Sequence, residues 1–278
     1  QKHDFALRDY FTVLTMGRDY GAKNAALIGV LISIAVENVA LRQIYRLVTS
    51  GAITDVRVLS EFALPRLKTI EDTTPSAADA FRQETLCVQT SFQHYREHPE
   101  EFMKIKPADM KIEGPLDQVL EQWGRSVAQY WAIQMAYLEK PYAERDQADF
   151  LRKLDQWKAS TPQHLKPLID TMLPNTQEAD VRIHVTKSRL RQTRIATALE
   201  IFRLEKGSYP AQLSELVPRH FSELPADVFS GQSYIYQPTA DRRAYLLYGV
   251  GPDRADDKGA IYYDPTNGTL SAGDLLFQ

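Results

Sequence analysis

The chain contains little cysteine, no excess of positive charge and no catalytic signature. Its 278 residues include one cysteine, Cys87, so a disulfide scaffold and a cysteine-rich zinc site are excluded. The 33 basic and 36 acidic side chains give a net charge of −3, which argues against binding nucleic acid through bulk charge. An apolar content of 44% excludes a disordered chain, because this composition can bury a core.

Enzyme motifs are also missing. The sequence has no Gly-x-Ser-x-Gly motif, no P-loop and no dinucleotide-binding fingerprint. His94 and His98 lie four residues apart, a spacing that can hold zinc on a helix, but no third ligand is identifiable and an exposed pair is expected. The sequence therefore gives no positive indication of catalysis.

Long apolar runs are absent as well. The most apolar stretch, residues 25–36, is 12 residues long. A bilayer-spanning helix needs about 20 apolar residues, so this stretch predicts a helix buried in protein. Residues 27–48 carry apolar side chains on nearly every face, which predicts the central helix of a bundle. Since the chain does not begin with Met, we expect that an N-terminal segment has been removed.

The sequence pattern changes near Pro174. Residues 1–173 are predicted to be a helical domain, and residues 174–278 a module of one long helix and a small antiparallel sheet, so the fold class is α+β. Cys87 is expected as a small buried residue of a helix. The predicted elements are helices over residues 27–48, 54–64, 76–98, 116–139, 142–160 and 175–206, a connection over 99–115, and strands over 233–237, 244–250, 260–263 and 274–277.

Two further patterns leave alternatives open. Aromatic residues recur at helical spacing in the first domain and form either a packed core or a ligand pocket lined by Trp123, Tyr130, Trp131 and Tyr137. The long helix carries five bases, at positions 182, 187, 189, 191 and 194, and no acid among them. Their face is either solvated or meets an acidic lipid or a partner protein.

The carboxyl-terminal part has a characteristic order of motifs. Residues 194–209 read RIATALEIFRLEKGSY and are followed by Pro210, then by the turn DVFSG at 227–231 and the loop GVGPDRADDKG at 249–259. This order resembles the C-terminal globular part of the major pseudopilins of type II secretion systems. Val228 stands where that family has proline, and Gly249 where it has serine. The helical part resembles uncharacterised bacterial proteins that carry the same module.

The resemblance implies a non-catalytic, extracytoplasmic protein of the cell envelope, periplasmic or membrane-anchored, with protein partners there and no nucleic acid. Contact with a membrane is expected only through a segment outside this chain. About 170 helical residues replace the single hydrophobic helix of a pseudopilin, so assembly into a filament through such a helix is not expected. The alternative is a helical ligand-binding or enzymatic domain with an accessory pseudopilin-like module.

The same resemblance implies a calcium site in the loop at residues 249–259. Its side-chain ligands are Asp253, Asp256 and Asp257, with backbone carbonyls near Tyr248 and Gly251, since calcium takes several oxygen ligands in irregular loops. Asp264 and Asp274 are weaker candidates. The alternative is an ordinary solvated turn in which Arg254 and Lys258 neutralise the carboxylates without an ion.

Overall fold

A computed structural model describes residues 2–23, 26–108, 110–173, 176–268 and 271–277. The fold is α+β: mostly helical, with one small antiparallel sheet. Within the described residues the α-helices are α1 Lys2–Lys23, α2 Leu27–Thr49, α3 Leu64–Asp72, α4 Ala77–Glu97, α5 Pro99–Ile105, α6 Leu116–Leu138, α7 Gln147–Ser160, α8 Lys166–Met172 and α9 Thr176–Lys206.

The chain forms two compact units that are discontinuous in sequence. One comprises Gln1–Asn24, Ile28–Ser76 and Glu178–Gln278, and the other comprises Ala25–Leu27 and Ala77–Gln177. The first unit therefore contains the N-terminal helices together with the sheet, and the second contains α4–α8. The predicted domains are instead continuous in sequence and divide between residues 173 and 174, and this division stays a prediction.

The sheet of the first unit is a meander in the order β1-β2-β3, with β1 Ile235–Pro238, β2 Tyr245–Gly249 and β3 Leu275–Leu276. Tyr248 is at its centre, opposite Ile235 on one side and Leu276 on the other. The strand predicted over residues 260–263 is not formed. These residues make one isolated bridge, Tyr262 with Asp274, inside the long β2–β3 loop.

Helix α9 lies at the centre of the first unit's core. Its residues Ile195, Leu199 and Ile201 are fully buried and belong to one cluster with residues of α1, α2, α3 and the sheet. Polar side chains of α9 are buried too, and two of them bond to the helix's own backbone. The Thr193 and Thr197 hydroxyls donate to backbone carbonyls four residues earlier in the helix, at 2.8 and 2.7 Å.

The prediction that α2 is the central helix is therefore wrong in part. Ala40, Leu41 and Ile44 are buried, but Ile28 and Val39 are 68% and 64% exposed. The helix continues well beyond residue 36 to Thr49, and by length and composition it is the one helix among the described residues that could cross a membrane. Only 39% of its most apolar 18-residue window is buried. Length and composition of this kind are also found in core helices of soluble proteins and in signal sequences.

Pro65 and Pro99 lie in the first turns of helices rather than at helix ends. Residues 58–63 form a π-helical turn, and α3 follows with Pro65 in its first turn. The predicted connection over residues 99–115 contains α5, which begins at Pro99. Proline is tolerated there because the first turn of a helix needs no backbone N–H donor. The helix predicted over residues 54–64 is therefore formed over most of its length but continues beyond residue 64, and the predicted connection over 99–115 is wrong where α5 lies.

The second unit is a helical bundle with an aromatic core. Its α6 packs against α4 and α7, and the Trp157 indole N–H donates to the Ser126 carbonyl at 2.8 Å. The Tyr130 and Trp157 rings lie 5.0 Å apart. Cys87 is exposed, so its predicted burial is wrong. Among the described residues, α4 buries Ala77, Ala78, Ala80 and Phe81 in its first turns and leaves the later part of the helix more open.

Candidate functional site

The loop predicted to bind calcium connects β2 to β3. Asp253 accepts hydrogen bonds from the backbone N–H groups of Ala255 and Gly273, both at 3.2 Å. Asp256 accepts the Lys258 N–H at 2.8 Å and the Tyr248 hydroxyl at 3.1 Å. Two of the three predicted carboxylates thus hold the loop's own backbone, as aspartates in turns often do.

Asp257 is half-buried and lies beside the buried Asp274. Asp274 is fully buried and accepts the N–H groups of Gly259 at 2.8 Å and Asp257 at 3.3 Å. Burial raises the pKa of the Asp274 carboxyl, and the nearby charges of Asp256 and Asp257 raise it further. One carboxylate oxygen of Asp257, Oδ2, is buried and has no hydrogen-bond partner. A bound cation would stabilise the ionised Asp274 carboxylate and give Asp257 Oδ2 a partner.

Close packing explains why positions 249 and 251 of the loop are glycine. A Cβ on Gly251 would lie 2.0 Å from the Gly273 carbonyl oxygen, so two segments of the loop touch there. The Gly251 carbonyl accepts the Arg254 N–H at 3.0 Å. A Cβ on Gly249 would lie 2.6 Å from Oδ1 of the buried Asp227, whose Oδ2 accepts the Ser230 hydroxyl at 2.8 Å. Gly249 is therefore a steric requirement of the Asp227 turn.

The loop offers the type of ligand that calcium binds, but its predicted ligands do not all lie close together. Its donors are carboxylate oxygens, which calcium prefers, and the Lys258 ammonium forms no ion pair with any described residue. Asp253, Asp256 and Asp257 do not bring three carboxylate oxygens within 4.8 Å of one another. Asp257 and Asp274 fit a cation better than the predicted set of three, and only the fold places these two together.

One group of possible metal ligands does lie within 4.8 Å in the part of the chain that the structure describes, formed by His98, Glu100 and Glu101. The neighbouring His94 Nε2 lies 2.8 Å from Glu101 Oε2, and this hydrogen bond lowers the pKa of the Glu101 carboxyl. All of these side chains are exposed, which confirms the predicted exposure of His94 and His98. Pairing at the surface accounts for the group without an ion.

The basic run of α9 is not an open face. Arg191 Nε binds Glu71 Oε1 at 2.7 Å, and Arg194 binds the other oxygen of the same carboxylate. Glu71 belongs to α3, so these arginines fix α3 against α9. Lys187 is partly buried near the same carboxylate, and burial lowers the pKa of its ammonium. Neither a solvated face nor a lipid-facing one describes Lys187, Arg191 and Arg194.

The aromatic stripes of the second unit form both a core and a groove. Tyr130 packs on Trp157, and Tyr137 stacks on Phe150 with ring centroids 4.1 Å apart. Trp123 and Trp131 instead line a groove of about 310 Å³ between α4 and α6. Their indole N–H groups are buried without hydrogen-bond partners. Glu121, a carboxylate of this groove, pairs with the neighbouring Arg125.

Comparison of the chain with protein-family models, with curated proteins and with solved structures finds no match.

Proposed function

We propose that this chain is a non-catalytic, extracytoplasmic protein of the cell envelope, with a pseudopilin-like C-terminal module, that works through contacts with other proteins of a secretion or pilus-like apparatus. The observation that supports this is the order of elements after residue 176. A 31-residue helix ends before Gly207, and the Asp227 turn follows. A three-stranded meander comes next, and in its β2–β3 loop Asp274 accepts a hydrogen bond from the Gly259 N–H. The resemblance implies this order.

The protein contacts involve surfaces other than α9. The core positions of α9 are covered by α1, α2, α3 and the sheet, so this helix has no bare apolar face for a filament. The first unit instead exposes large apolar side chains on its N-terminal helices, among them Met16, Ile28 and Val39. We assign the protein contacts to this part of the first unit.

Cell fractionation tests the proposed location. Antibodies against the folded chain should detect the native gene product in the envelope or periplasmic fraction, protected from added protease until the outer membrane is permeabilised. A cytosolic protein serves as the fractionation control. Recovery of the protein with that control, still protected after permeabilisation, would contradict the proposal.

We extend the proposal to calcium in the β2–β3 loop, with Asp257 and Asp274 as central ligands and Asp253 and Asp256 as supporting ones. Calcium should raise the melting temperature of chelator-treated wild-type protein, and isothermal titration should give a dissociation constant of about 1 mM or tighter, within the range of extracellular modules. Asp257→Asn should abolish both effects, whereas Asp241→Asn, at an exposed turn, should leave them unchanged.

The calcium effect should depend on pH in a defined direction. Because burial raises the pKa of Asp274, ionising this carboxyl costs stability, and that cost appears as the pH rises through the raised pKa. A bound cation offsets this cost, so the gain in melting temperature should be larger at pH 7 than at pH 4. No heat of binding and an unchanged melting temperature at pH 7 would refute the calcium site.

The groove between α4 and α6 supports a second candidate function, binding of a small aromatic molecule by the helical unit. Its walls include Phe92, Trp123 and Trp131, and its polar lining residues are Gln89, Glu121 and Arg125. Ligand pockets characteristically combine apolar walls with a few polar groups. A neutral probe, N-phenyl-1-naphthylamine, should gain fluorescence on binding there.

Filling the groove should abolish this signal. Ala128 is exposed and lines the groove, so Ala128→Leu should reduce probe binding about tenfold or more, since the added side chain occupies the ligand's volume. Ala132→Leu, one turn further along α6 and outside the groove, should not. Equal binding by wild type and both variants would remove the support for this candidate.

A further inference from the structure

A second cleft lies in the first unit, between α2, α9 and residues 262–267 of the β2–β3 loop. Its wider part has a volume of about 620 Å³ and its narrower part about 340 Å³. The two parts share Asn38, Arg189, Tyr263, Pro265 and Thr266, so they form one continuous groove. Neither the calcium loop residues 253–257 nor the aromatic groove of the second unit contributes to it.

The wider part contains two arginines without acidic partners. Arg189 is half-buried, and its Nη1 donates to Asn38 Oδ1 at 2.8 Å. Asn38 is fixed in turn, because its amide donates to Thr186 Oγ1 at 2.7 Å. Arg42 is exposed. Burial lowers the pKa of the Arg189 guanidinium, and the nearby positive charge of Arg42 lowers it further. Neither arginine forms an ion pair with a described residue.

The groove lining has two other charged groups, Asp264 and Arg182. Asp264 accepts the Thr266 N–H at 2.8 Å and its hydroxyl at 2.7 Å, which keeps the pKa of this carboxyl low. Arg182, in the narrower part, pairs with Glu178 on the same helix. Asp264 stays ionised, so the groove lining carries two guanidinium groups without ion pairs against one carboxylate. The net positive charge comes from Arg42 and Arg189, two forked donors that suit a carboxylate or phosphate.

The narrower part of the groove has a different character. Its lining includes Leu31, Ile34 and Ala35 of α2 and Val185 of α9, beside Pro265 of the loop. This apolar section joins the arginine pair through Asn38 and Arg189, which belong to both parts. A ligand that fills the whole groove needs an anionic head and an apolar tail, because each section favours one of the two.

We infer that this groove binds a single-chain anionic amphiphile, with its carboxylate or phosphate head between Arg42 and Arg189 and its alkyl chain along Leu31, Ile34 and Val185. Asn38 acts as a positioning residue that orients the Arg189 guanidinium. Free amphiphiles and lipids in a bilayer share this head-group chemistry, and the test separates them.

The probe is decyl phosphate below its micellar concentration, titrated calorimetrically into the intact chain. We expect saturable binding at one site, weaker binding of inorganic phosphate, and none of decanol. Arg42→Gln should weaken decyl phosphate binding about 10- to 100-fold, the usual effect of losing a charge-assisted contact. Arg46→Gln is the matched control, since Arg46 is exposed one turn further along α2 and lies outside the groove lining.

Arg42 is at the surface, so its replacement leaves the core intact, which equal melting temperatures of the two variants should verify. Equal binding of decanol and decyl phosphate, or equal losses in the Arg42 and Arg46 variants, would overturn the inference. Sedimentation with phosphatidylglycerol vesicles without binding of monomeric decyl phosphate would overturn it as well, because the anion would then belong to a membrane surface.

Discussion

Replacing Glu37 by leucine is expected to lower the stability of the first unit by about 3–5 kcal/mol, because it leaves a buried arginine without its counter-charge. Glu37 of α2 binds Arg18 of α1 at 2.8 Å, and both side chains are almost fully buried. The Ser33 hydroxyl lies 2.6 Å from Glu37 Oε1 and 2.7 Å from the Gly17 carbonyl oxygen, and donates to one of them. Urea denaturation followed by circular dichroism measures the loss.

The matched control removes both charges. Burial raises the pKa of Glu37 and lowers that of Arg18, and in each case the ion pair offsets burial only in part. Desolvation therefore outweighs the attraction, and the double replacement Arg18→Met with Glu37→Leu should recover most of the lost stability. A double variant as unstable as the single one would contradict this explanation.

Leu199→Ala should also cost about 2–5 kcal/mol, since it opens a cavity at the centre of the first unit's core. Leu199 is fully buried in α9, where the helices and the sheet meet. Leu151→Ala is the control for the same chemical change, because Leu151 on α7 is 42% exposed and should lose less than about 0.5 kcal/mol. Similar losses at the two positions would show that α9 is not central.

The helix limits that depend on local signals could be predicted from the sequence. The predictions over residues 76–98, 116–139 and 175–206 agree within about two residues with α4, α6 and α9. Glycine after a helix and proline near its ends act through their own backbone, so no tertiary information is needed. The helix predicted over residues 54–64 ends before Pro65, and the predicted connection begins at Pro99. Both limits are wrong because proline can begin a helix as well as end one.

The choice of central helix could not be predicted, because it depends on partners far away in sequence. Helix α2 is the more apolar helix, yet α9 occupies the core with a largely polar sequence. Gln192 donates to the Leu275 carbonyl at 2.9 Å, and Tyr209 donates to Glu200. Composition assigns such residues to the surface, since their burial is stable only once these hydrogen bonds exist.

The sites show the same limit. The loop aspartates were identifiable from sequence, but the role of Asp274 depends on a return of the chain to Gly259, 15 residues away. Arg191 and Arg194 resembled a free basic face because Glu71 precedes them by 120 residues or more. The unmatched pair Arg42 and Arg189 comes from different helices, so sequence spacing could not reveal it.

The central claim is that the N-terminal helices and the C-terminal module share one core built around α9. Hydrogen exchange of the intact chain, compared between wild type and Leu199→Ala, tests it most directly. We predict that the amides of Leu41, Ile44, Leu199 and Leu247 lose protection together, by equal free energies, while those of α6 lose less. Unchanged protection at Leu41 and Ile44, with losses confined to α9 and the sheet, would contradict the shared core and favour separate domains divided at residue 173.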